Sequence, residues 1–179
     1  MRRLNLVLIA GMLCGFLAHA IMGALQLAGA DADTLKNVGW VTIGLVCAHI
    51  AVTMILMAQT LYARYRSGVG YFKGNGMFWA RRISGFAIII PLIMHLVIFD
   101  ASGSGAYRLQ VFTAGRMISQ VLLVAAIALH VFINLRPALI SVGVSGHKAI
   151  RTDLLVILSV LLLLFAIAFL VYYLRWMAY

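Results

Sequence analysis

Five long apolar runs alternate with short polar stretches along the chain, at residues 4–28, 38–62, 83–100, 117–142 and 154–176. Most reach the roughly 20 residues that a helix needs to cross a bilayer, so the pattern predicts five transmembrane helices. The third run is short and depends on its flanks. Pro91 within it has no backbone N–H, which leaves the carbonyl of Ala87 without its helical partner and predicts a kink one turn before His95. The connectors Gly29–Asn37, Ala63–Arg82, Ala101–Arg116 and Gly143–Asp153 are too short to be domains, which makes residues 1–179 a single membrane domain.

Composition agrees with the pattern. The 179 residues are 65% hydrophobic and 10% charged, values foreign to a soluble domain. A net charge of +10 would suggest nucleic acid in a soluble protein, but here the basic residues cluster at the ends of the apolar runs, where they anchor helices. No nucleic-acid partner is expected. Cys14 and Cys47 lie within apolar runs without a CxxC partner, so neither a disulfide framework nor a zinc site is indicated. Residues 1–30 superficially resemble a secretory signal, yet the apolar stretch is longer than the roughly 7–15 residues of a signal core and reads as a spanning helix.

Arg2, Arg3, Arg64, Arg66, Lys73, Arg81, Arg82, Arg136, Lys148 and Arg151 fall on one side of such a membrane, with Lys36, Arg108, Arg116 and Arg175 on the other. Because basic loops stay cytoplasmic, the N-terminus is expected inside and the C-terminus outside a cell (inner) membrane. Short links and alternating directions predict an all-α protein in which the first four helices form an up-down bundle and the fifth packs alongside.

Four of the five runs carry one histidine well inside: His19, His49, His95 and His130. An ionisable residue at membrane depth is expensive, and a functional role is its default reading. Bis-histidine haem ligation fits best, since imidazole is a strong iron ligand and a bundle core presents two rings across a flat macrocycle. Diagonal helices favour His19 with His95 and His49 with His130. Counted from the outer helix ends, these residues lie about 14, 8, 18 and 21 Å deep, in that order, so the first pair would hold an outer haem and the second an inner one.

Gly11, Gly15, His19 and Gly23 recur every fourth residue, leaving room for a porphyrin edge or forming a stripe for close helix packing. Gly39, Gly44 and Thr53 flank His49 more loosely, and Asn134 lies one turn beyond His130. Hydrogen bonding between helices is the competing role for each histidine alone. Zinc would need all four to converge, against their spread in depth. His147, in a Ser-Gly-His-Lys stretch, is expected to be a solvated loop residue.

Three features resemble the haem-containing membrane anchor of succinate:quinone oxidoreductases, the cytochrome b subunit of succinate dehydrogenases and fumarate reductases, in its single-polypeptide two-haem form. Trp79-Ala80-Arg81-Arg82-Ile83-Ser84-Gly85 resembles the family's Arg-hydrophobic-Ser-Gly signature at the inner entry to a helix. His130-Val131-Phe132-Ile133-Asn134-Leu135-Arg136 resembles its haem-ligand pattern, and the order of five helices with a histidine in each of the first four is similar. The chain departs at Pro137, where the family often has histidine, and it has no glutamate for the proton routes of menaquinone-using members.

The resemblance implies two haem b groups, an iron–sulfur subunit and a flavoprotein subunit docked on the cytoplasmic face, and electron exchange with membrane quinone. The chain would then be the quinone-reactive subunit of an enzyme, without the dicarboxylate site. Haem propionates need cationic or hydroxyl partners at helix ends, and the candidates are Arg82 and Arg136 inside with Arg108, Arg116 and Tyr107 outside. Quinone candidates are Trp79, Arg82 and Ser84 inside or Asp100 outside. Other readings are a haem-b anchor for another dehydrogenase or a hydrogenase, and a haem-free transporter or assembly factor.

Overall fold

A computed structural model describes residues 2–28, 35–68, 75–96, 99–100, 108–109, 113–143 and 147–177. Its helices are α1 (Arg2–Ala28), α2 (Leu35–Arg66), α3 (Gly76–Phe86), α4 (Ile89–Leu96), α5 (Ala114–Ser141) and α6 (His147–Met177). Between α4 and α5, two-residue strands β1 (Phe99–Asp100) and β2 (Arg108–Leu109) pair antiparallel. Five helical spans, with α3 and α4 counted as one, are long and apolar enough to cross a membrane.

The interruption between α3 and α4 is the proline kink in concrete form. Pro91 cannot donate to Ala87, and the chain turns at Ala87–Ile88, where Ile88 N–H donates to the carbonyl of Gly85, three residues back, at 3.2 Å. Helical pairing resumes as Leu92 N–H donates to Ile88 O at 2.9 Å. Two glycines with positive φ, Gly68 (67°) and Gly143 (79°), lie just past the ends of α2 and α5, where a side chain would be strained. Thr113 caps α5, its hydroxyl accepting from Arg116 N–H at 3.2 Å.

Several boundaries differ from those expected. α2 runs on to Arg66 and α3 begins at Gly76, so Trp79, Arg81 and Arg82 are helical rather than part of a connector. Arginine and tryptophan are tolerated at helix ends in the interface, and an apolar count starts too late to include them. The third run ends as helix at Leu96, which places Asp100 in β1 opposite Arg108 instead of on the helix. His147 opens α6 rather than lying in a loop.

The chain divides into two compact units, Met1–Gly23 with Thr34–Trp79, and Ala24–Asp33 with Ala80–Tyr179. In the first, α1 and α2 run antiparallel: a Cβ built on Gly11 would lie 3.7 Å from Leu45, and one on Gly15 only 2.8 Å from Thr42 Oγ1. Two glycines of the α1 stripe therefore serve helix packing. Gly23 opens on to space. In the second unit α5 packs between α4 and α6, and Arg175 near the end of α6 donates to the carbonyl of Leu27 near the end of α1 at 3.3 Å.

Among the described residues few are buried, and polar ones are prominent: Thr42, Ser84 and Ser119 beside Val52, Pro91, Leu123, Ala168 and Tyr172. Large apolar side chains cover the surface. Lipid tails are as apolar as leucine, so helices in a bilayer associate through small residues and interhelical hydrogen bonds, which is the distribution found.

Candidate functional site: the intramembrane histidines

His130 stands on α5 in the second unit, and α3 meets it with two adjacent residues. Ser84 is 5% exposed, and its Oγ lies 3.0 Å from His130 Nδ1. The same hydroxyl donates to the backbone carbonyl of Arg81 at 3.0 Å. With its one proton on the Arg81 carbonyl, the hydroxyl is an acceptor toward the imidazole, which pairs with a proton on Nδ1. Gly85 supplies the space. A Cβ there would approach His130 Cε1 to 3.2 Å, closer than ordinary packing allows. Asn134 is 3.4 Å from the same Nδ1 but donates to the carbonyl of His130 at 2.8 Å, which steadies the turn.

His95, on α4, is held by an analogous chain that the sequence reading missed. Its Nδ1 meets Gln120 Oε1 on α5; Gln120 Nε2 donates to Ser119 Oγ at 3.1 Å, and Ser119 Oγ donates to Arg116 O at 2.7 Å. Each step fixes the one before it. Ser119 gives its proton to the carbonyl, so it accepts from the amide nitrogen, which turns Oε1 toward His95. An amide oxygen only accepts, and Nδ1 of His95 is therefore the protonated nitrogen. Both chains end on the backbone carbonyl of an arginine, and both tautomers put the imidazole lone pair on Nε2.

In the first unit His19 packs against Gly39 of α2, where a Cβ would come within 3.4 Å of Cε1 and Nδ1. Gly39 thus makes room for His19 instead of flanking His49. A Cβ on Gly44 meets nothing, and Thr53 turns its hydroxyl back to the carbonyls of His49 and Ile50 at 2.8 and 2.9 Å. Nδ1 of His49 is buried and makes no hydrogen bond among the described residues. Such a nitrogen costs about 1–3 kcal/mol.

Within each unit the two histidines lie at different levels. Gln120, which marks the level of His95, precedes His130 by ten residues, and Gly39, level with His19, precedes His49 by ten. Ten residues of helix rise about 15 Å. Among the described residues no three His, Cys, Asp or Glu side chains are grouped.

The remaining candidates are placed unevenly. Trp79, in the first unit, stands edge-on to Phe78 at 5.3 Å, whereas Arg82 and Ser84 belong to the second unit. Arg82 is half-buried and Arg136 exposed. Arg116 is half-buried, near enough for its charge to act on the buried hydroxyl of Tyr172 on α6. Asp100 and Arg108 face each other in the strand register, and Tyr107 lies outside the described residues.

Comparison with protein-family models, with curated proteins and with solved structures finds no match.

Proposed function

We propose that this chain is the di-haem cytochrome b membrane anchor of a succinate dehydrogenase or fumarate reductase complex, passing electrons between an iron–sulfur subunit and membrane quinone. The observation that carries the reading is the pair of hydrogen-bond chains that meet Nδ1 of His95 and Nδ1 of His130, an arrangement in which Nε2 of each ring would be the ligating nitrogen. The glycines against His19 and His130 fit the same role. The pairing expected from the sequence, His19 with His95 and His49 with His130, would hold the iron of two haem b groups. Haem supplies one-electron chemistry when bound.

The protein's own contribution is to bind and orient. The hydrogen bonds aim the imidazoles of His95 and His130, and the half-buried cations Arg82 and Arg116 would balance propionate charge at the two membrane faces. Quinone needs hydrogen-bond donors for its carbonyls, for which Arg82 and Trp79 are the inner candidates. The basic inner face, with Arg64, Arg66, Arg81 and Arg136, docks the iron–sulfur and flavin subunits.

The first measurement is a reduced-minus-oxidised optical spectrum with haem per polypeptide on the purified membrane protein. About two non-covalent haems are expected. Replacing His49 or His130 by alanine should remove the same haem and leave the other. A colourless, folded, haem-supplied preparation would overturn the proposal in favour of a transporter or assembly role.

A further inference from the structure

We infer that Ser84 and Gln120 are positioning residues that set the reduction potentials of the two haems separately, Ser84 through His130 and Gln120 through His95. The inference rests on the proposed function, since it concerns iron ligands, but it adds a role for two side chains and moves Ser84 away from quinone.

The argument starts from the acceptors. An imidazole whose Nδ1–H is donated gains electron density at Nε2, becomes a more basic ligand and favours ferric iron, which lowers the potential of the haem it binds. Ser84 and Gln120 occupy that outer position on two different histidines, and both are fixed there by their own downstream bonds. The two acceptors differ in strength: an amide carbonyl withdraws the proton more than a neutral hydroxyl oxygen. At this contact, then, His95 is the more basic ligand and its haem is pulled to the lower potential.

The separation is spatial as well. Gln120 and Ser84 act on imidazoles about 15 Å apart along α5, so each substitution addresses one haem. Gln120 is otherwise a polar residue at membrane depth in an apolar helix, and Ser84 is nearly fully buried; such groups are kept in a bilayer where they hold something in place.

A potentiometric titration of the purified di-haem protein, followed optically and by EPR, tests this without any turnover assay. Ser84→Ala should raise the midpoint of one haem only, and Gln120→Leu that of the other only. Ser84→Thr and Gln120→Glu retain an acceptor oxygen and should leave the midpoint in place or, for Glu, lower it. Ser84→Cys, of similar volume but weaker as an acceptor, substitutes for the alanine variant where that one loses haem. At two haems per chain, midpoints unmoved by these changes, or both moving together, overturn the inference while the proposed function stands. Absence of haem from the wild-type protein defeats the proposed function itself.

Discussion

The hydrogen bond between Ser84 and His130 depends on the residue after the serine. Gly85 lets the imidazole lie almost against the α3 backbone, and a methyl group at 3.2 Å from Cε1 forces the ring to shift by a few tenths of an ångström. Gly85→Ala is expected to lengthen the Ser84 contact and, in the proposed di-haem anchor, to weaken the hold on one haem, seen as its faster loss to apomyoglobin. Sequence shows Ser84-Gly85 and His130 as suggestive residues but not as partners, because 46 residues separate them and only helix packing joins them. Gln120 left a signal that went unread. A lone glutamine inside an apolar run calls for an interhelical partner, and His95 is that partner.

Among the helices, the α1–α2 pair is the most exposed to small changes. A side chain at Gly15 meets Thr42 Oγ1 at 2.8 Å, and that oxygen is tied to its own helix by donation to Val38 O at 2.7 Å, so it does not swing aside cheaply. Gly15→Ala is expected to destabilise by about 1–3 kcal/mol, as overpacking does. Thr42→Ala in the same chain should recover much of that loss; a thermal-unfolding cycle in detergent over the four combinations measures the coupling. The existence of all five spans was legible in hydropathy, because twenty apolar residues have no other home. Their starts were not, since α3 opens on Gly76 ahead of Arg81 and Arg82, and α6 on His147 and Lys148 ahead of Arg151, residues that an apolar count passes over. The Pro91 break was legible to the residue, because a missing N–H has only one local consequence.

For the molecule as a whole, the asymmetric distribution of basic residues predicts which ends face which compartment. Arg175 of α6 reaches Leu27 near the end of α1, which places both helix ends at one face, as expected if each ends outside. With Cys14 and Cys47 replaced by serine, a membrane-impermeant maleimide applied to intact cells is expected to label Ala114→Cys and to spare Ser67→Cys. The opposite pattern would invert the topology and place the docking face outside. The division into two compact units was not legible in the sequence, since it depends on which apolar faces meet.

The ten-residue offset between the two histidine levels has an electrical meaning. About 15 Å is half of a ~30 Å hydrocarbon core, so an electron moving between redox centres ligated at those levels crosses about half of the transmembrane voltage. Moving one charge through the full field is worth about 2.3 kcal/mol per 100 mV, hence about 1.2 kcal/mol for this step. A membrane held at about 100 mV would, in the proposed anchor, bias the distribution of the electron between the two haems by about sevenfold, toward the positive side. In the proposed anchor the spacing of four histidines along their helices therefore makes the position of an electron a gauge of how strongly the membrane is energised.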